Sequence, residues 1–165
     1  AIHEVGHFLA EFGNCGGAVS DPLAVKDKIG VLKISLKSNA RSGALGFVFK
    51  KPQVGTLRTQ KKIEMMIAEF YGGTINEEIF FGKDGRSTGA TNDIQESTKL
   101  LHAAVVESRF YDKSKVNFNA LSSSNKTDSS VTKEDREIME RVSEEIFNKT
   151  QEYLVKVKDI SAHLA

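Results

Sequence analysis

Two histidines four residues apart, His3 and His7, with Glu4 beside the first, constrain this chain more than any other feature. They lie where Ile2, Val5, Leu9 and Phe12 recur at helical spacing, with Gly13 as a natural stop. The spacing predicts a helix over residues 1–13. On that helix, residues four apart are offset by about 40°, so both imidazoles project from one face. Their ring nitrogens can then meet one Zn²⁺ at about 2.0–2.1 Å. Glu4 is turned about 100° from His3 and about 60° from His7, so it flanks the metal without ligating it. A carboxylate placed there can take a proton from a metal-activated water. The competing reading is a solvated helix face. Against it, two of the chain's four histidines fall in this one pentapeptide, inside an apolar helical pattern. Gly6 costs a helix interior about 1 kcal/mol relative to Ala. Close approach by a neighbouring helix or a substrate backbone would explain it.

The rest of the chain reads as mostly α, an array of helices with a short two-stranded β-ribbon. Residues 14–29 are a loop. Residues 31–36 and 44–49 are short β-leaning runs joined by the polar segment 37–43, and Pro52 ends the ribbon. A helical stripe runs over 57–71. Gly72-Gly73 interrupts it, residues 74–81 follow, and Gly82 closes. Residues 83–91 form a loop, and a helix spans 92–110 with Thr91 or Asn92 as N-cap. Residues 111–131 are Ser/Asn/Lys/Asp-rich and read as a mobile loop. A long amphipathic helix, or a helix pair, fills 132–164.

The 165 residues suit one domain, 1–165, with a core of useful size. Lys plus Arg is 23 and Asp plus Glu is 22, a net charge of +1, which argues against a nucleic-acid partner held by bulk positive charge. The single cysteine, Cys15, excludes an internal disulfide framework and a multi-Cys zinc knuckle. No apolar run reaches the 18 residues or so of a membrane span, and no GxxxxGK[ST] phosphate loop is present. The chain opens on Ala1-Ile2 in mid-pattern, which reads as a piece of a longer protein.

A catalytic zinc usually takes three protein ligands and a water. No histidine follows His7 within a dozen residues. Glu77, Glu78 and Asp93 are the acidic candidates. Thr74-x-x-Glu77 matches a capping box, and Asp93 suits the first turn of a helix, so each of those two has a structural explanation. His102 falls about 180° from Asp93 on the same helix and cannot face one site with it. His163 reads as solvated. Cys15 is a conceivable soft ligand, but a packed or exposed thiol is the better reading. These arguments do not choose between Glu77 and Asp93.

The motifs taken together resemble the peptidase domain of the FtsH family, the membrane-anchored AAA+ zinc proteases. The resemblance covers nearly the whole chain. It runs in order through 2–7, Ala44-Leu45-Gly46, Gly72 to Gly82, and Ser87-Thr88-Gly89-Ala90-Thr91-Asn92-Asp93-Ile94-Gln95, the most specific segment. Val5 stands where the family usually has Ala, and Glu107 to Asp112 replace its usual turn. The resemblance implies one Zn²⁺ per chain on His3, His7 and Asp93, with Glu4 as the catalytic acid/base and Glu77 orienting a ligating histidine. It implies that the substrate-side strand, Ala44, Leu45, Gly46, Phe47 and Val48, binds an extended peptide as an added strand. It further implies a zinc endopeptidase acting on unfolded or membrane polypeptides, assembled as a homo-oligomeric sixfold ring. The parent would be membrane-anchored, with this domain on the cytoplasmic or organellar-matrix side. ATP would be bound by an ATPase region outside this chain. The alternatives are a catalytically inactive zinc-binding subunit or assembly module of a larger ring, and a helical interaction module without metal.

Overall fold

The protein is described by a computed structural model over residues 1–17, 21, 23, 28–35, 47–50, 57–112, 116 and 131–165. The apolar stripe that predicts the first helix forms α1 (Ile2–Asn14), burying Val5, Leu9, Ala10 and Phe12. β1 (Val31–Ser35) and β2 (Phe47–Lys50) pair antiparallel, with Ile34 opposite Val48 and Ser35 opposite Phe47. The register slips between Val31 and Lys33. The ribbon lies against α1, and Gly30 N–H donates to Glu11 Oε1 at 2.6 Å. Of the expected second strand, Ala44, Leu45 and Gly46 lie outside the described residues, as do 36–43. So does nearly all of 111–131.

α2 (Gln60–Phe81) is the central element, and it corrects the expected break at Gly72-Gly73. The helix starts on Thr59, whose hydroxyl accepts from Lys62 N–H, and runs unbroken to Gly82. Two interior glycines weaken a free helix, but here α1 crosses at that point. A Cβ on Gly72 would stand 2.5 Å from the Gly6 carbonyl oxygen, and one on Gly6 would collide with the Gly72 carbonyl. Backbone packs on backbone, so Gly6 is explained by a neighbouring helix. The capping-box reading of Glu77 falls with the break, since Thr74 is mid-helix.

The helix expected over 92–110 is α3 (Thr91–His102) followed by a π-helical turn, Ala103–Glu107. Its N-cap is Ala90, at the end of a 3₁₀ turn (Thr88–Ala90), in place of Thr91 or Asn92. The wider turn ends as Ser108 N–H bonds Ala103 O at 2.9 Å and Arg109 takes φ +51°. Residues 132–164 are a pair: α4 (Lys133–Lys156), opened by a Thr132/Asp135 capping box, and α5 (Lys158–Leu164). Val157, at φ −107° and ψ 18°, breaks them apart.

Two apolar clusters hold the array. Ile63, Ile67, Leu101, Ala104, Val142 and Ile146 join α2, α3, the π turn and α4. Val5, Leu9, Ile75, Leu154 and Val157 join α1 to α2 and to the α4/α5 junction. Both clusters draw on α2, so the helix bearing Glu77 is braced from two sides. Among the described residues no helix is long and apolar enough to cross a membrane.

Candidate metal centre

His3 and His7 share one face of α1, as their spacing requires, with ring centroids 4.6 Å apart in an edge-to-face arrangement. Asp93, in the first turn of α3, meets both. Its Oδ2 lies 3.1 Å from His3 Nε2 and 3.3 Å from His7 Nε2. Among the described residues, His3, His7 and Asp93 form one cluster whose ligand atoms all lie within 4.8 Å of one another. The three side chains are 15 %, 12 % and 14 % exposed, so the cluster is sheltered yet open to a small ligand.

The outer ring atoms are also placed. His7 Nδ1 is 2.7 Å from the Glu69 carbonyl oxygen, which can only accept, so Nδ1 carries the hydrogen. With Nδ1–H given to that carbonyl, Nε2 is the ring atom that faces the Asp93 oxygen. His3 Nδ1 is buried and 3.4 Å from Glu77 Oε1, without an aligned hydrogen bond. Glu77 is 7 % exposed and held by Ser87, which donates from its backbone N–H at 3.0 Å and its hydroxyl at 2.7 Å. Gly73 leaves room for the His3 ring, since a Cβ there would stand 2.6 Å from Cε1.

Charge follows the same geometry. Burial favours a neutral His3 ring, but the Asp93 hydrogen bond and the Glu77, Asp93 and Glu4 carboxylates outweigh it and raise its pKa. Burial alone would raise the Asp93 pKa. Hydrogen bonds and charge from His3 and His7 instead hold it down at about 2.

This donor set fits zinc. Two imidazole nitrogens and a carboxylate oxygen are borderline-to-hard donors, and three protein ligands leave one position of a tetrahedron open. Ligands about 2.0–2.1 Å from a tetrahedral ion stand about 3.3 Å from one another. The Asp93 contacts of 3.1 and 3.3 Å match that edge.

Glu4 lies half-buried in the first turn of α1, beside the cluster. Glu78 stands apart from it, with Oε2 3.9 Å from Arg86 Nε. His102 pairs with Glu107 at 3.4 Å, and His163 is exposed near the end of α5. Cys15 Sγ contacts the Lys28 carbonyl at 3.6 Å. It lines a separate cavity of about 260 Å³ with Glu11, Lys28, Lys62, Met66 and Glu69. Burial, with Glu11 nearby, raises the Cys15 thiol pKa, which disfavours the thiolate. Sequence reasoning missed Ser87, Gly73 and the Glu69 carbonyl. Ser87 opens the segment 87–95 and was within reach, whereas a backbone acceptor carries no signal in residue type.

The family model described as Peptidase family M41 matches residues 1–165. The chain belongs to peptidase family M41. The M41 chain is 30% identical over 168 residues to the "ATP-dependent zinc metalloprotease FtsH" of Malacoplasma penetrans (strain HF-2), an alignment covering 95% of this chain and 18% of the relative. It is 40% identical over 106 residues to the protein of that name from Aquifex aeolicus (strain VF5), covering 64% and 15%. With that from Mycoplasmoides gallisepticum it shares 34% over 109 residues, covering 65% and 12%. The chain thus spans less than a fifth of the length of these relatives.

Proposed function

We propose that this M41 domain is a zinc endopeptidase whose metal is held by His3, His7 and Asp93, one ion per chain. The observation that carries the reading is the convergence of Asp93 Oδ2 on both Nε2 atoms, at 3.1 and 3.3 Å. Zinc held by these three residues would supply Lewis acidity to a water and to a substrate carbonyl. Glu4 takes the proton of the attacking water and returns it to the departing amine nitrogen. Its place in the first turn of α1, next to His3, suits that role. Glu77 orients the His3 ring through Nδ1, and the Glu69 carbonyl fixes the His7 tautomer.

The substrates are polypeptides, unfolded or membrane-derived. They add as a strand beside β2, to which Phe47 and Val48 belong. The name shared by the relatives supports a longer parent that is ATP-dependent. We place ATP binding outside this chain and expect a membrane-anchored, homo-oligomeric ring of sixfold form. The deciding experiment compares wild type with Glu4→Gln for zinc content and casein cleavage. The variant should keep its zinc and lose cleavage. Full activity in Glu4→Gln would sink the mechanism.

A further inference from the structure

Asn76 and Ser161 are both fully buried polar residues, and the chemistry so far uses neither. Asn76 sits on α2 one residue before Glu77. Its Nδ2 donates to the Ile2 carbonyl at 2.7 Å and to Ser161 Oγ at 2.8 Å. Ser161 Oγ in turn lies 3.1 Å from Asn76 Oδ1, to which it can donate. The amide orientation is not arbitrary: the Ile2 oxygen can only accept, so the atom facing it must be nitrogen.

Ile2 immediately precedes His3, and the Gly6 crossing makes the contact possible. A Cβ on Gly6 would stand 2.7 Å from Asn76 Cβ, so Asn76 lies directly beneath the first turns of α1. An amide at 0 % exposure has no water to turn to, so its partners are held firmly. Three elements therefore meet at one buried amide: the start of α1, the C-terminal part of α2 and, through Ser161, α5.

We propose that Asn76 is a positioning residue that fixes His3 for metal binding by gripping the Ile2 carbonyl, and that Ser161 makes this grip depend on the docking of α5. Asn76 and Glu77, adjacent on α2, then hold His3 at its backbone and at its ring. The C-terminal helix is thereby linked to metal affinity through a two-residue relay. The metal half of this proposal rests on the zinc reading above.

The test uses Asn76→Ala and Ser161→Ala in the full chain, with Val142→Ala as a destabilised control in the other apolar cluster. Zinc affinity is measured by competition with a chromogenic chelator, and amide hydrogen exchange is followed over residues 3–7. Asn76→Ala should weaken zinc binding about 3- to 10-fold, as expected for one buried hydrogen bond. Ser161→Ala should weaken it about 2- to 3-fold, and both should speed exchange at 3–7. Val142→Ala should leave affinity unchanged. Should Asn76→Ala fail to fold, Ser161→Ala decides. Wild-type affinity in Ser161→Ala, or an equal loss in Val142→Ala, overturns the relay. A wild-type chain with no zinc affinity sinks the site reading and the metal half with it. Wild-type affinity and unchanged exchange over 3–7 in a folded Asn76→Ala overturn the grip itself.

Discussion

Ser87 donates twice to Glu77, from its backbone N–H to Oε2 at 3.0 Å and from its hydroxyl to Oε1 at 2.7 Å. The same Oε1 lies 3.4 Å from His3 Nδ1. Ser87 also caps the 3₁₀ turn Thr88–Ala90 that leads into α3 and Asp93, accepting from Gly89 N–H. One serine thus joins the carboxylate behind one proposed ligand to the turn that delivers another. Glu77→Gln keeps the volume but removes the charge facing His3. Zinc affinity should fall about 10- to 100-fold, as for other groups that orient a ligating histidine. Ser87→Ala should act in the same direction and less strongly. Competition titration checks both, and wild-type affinity in Glu77→Gln would remove Glu77 from the site.

Asp93→Ala leaves two histidines four residues apart and no acid to close the set. The purified variant should carry well under one zinc per chain after gel filtration, measured by atomic absorption. Unchanged stoichiometry would return the third-ligand role to another residue.

Gly73→Ala places a methyl 2.6 Å from the His3 ring. The ring must rotate or α2 must shift, at a cost of about 1–3 kcal/mol. Thermal unfolding should show that loss together with weaker zinc binding. Gly6→Ala should be worse for stability, because its clash is with the Gly72 backbone, which cannot move aside as a side chain can.

Asp135 gives the fold a pH dependence. Burial opposes its charge, but hydrogen bonds from Thr132 and the Arg109 guanidinium, 2.7 Å away, lower its pKa below the usual carboxylate value. The stabilisation is fully present above the unfolded value of about 3.9 and is lost as pH falls through the folded value. Asp135→Asn should cost about 2–4 kcal/mol at neutral pH and flatten the acid limb of the stability curve. Chemical denaturation from pH 7 to pH 3 reads both effects. An equally steep acid limb in the variant would rule Asp135 out as its source.

Chelation should lower thermal stability as well as activity. A ligand that binds only the folded state adds about 2.7 kcal/mol at 100 times its Kd. Calorimetry with EDTA, then with zinc restored, should show a reversible drop in Tm. No shift in either direction would count against a bound metal.

Much of this protein is local and was legible in residue order. The apolar repeat of Ile2, Val5, Leu9 and Phe12 specifies α1, and a period of 3.6 puts His3 and His7 on one face with Glu4 at its edge. The helical character of 132–164 and the β-ribbon follow from the same kind of pattern, whereas the break at Val157 into two helices does not. The misses have physical reasons too. Gly72 and Gly73 read as a break because intrinsic propensity disfavours them in a helix, yet tertiary crossing with α1 selects them there. The helix over 92–110 widened into a π turn, and its end hangs on the Arg109–Asp135 contact 26 residues away.

What residue order determined was the half of the candidate metal centre built from neighbours four apart. The resemblance implied Asp93 as its third member; what only the tertiary structure shows is one Asp93 oxygen facing both Nε2 atoms, because helical periodicity relates residues a few positions apart and says nothing across ninety. Glu77 and Asp93 had equal local explanations, a capping box and a helix dipole. Packing of α2 and α3 around α1 removed the first explanation by making Thr74 mid-helix. It also brought the Asp93 oxygen to 3.1 Å from His3 and 3.3 Å from His7.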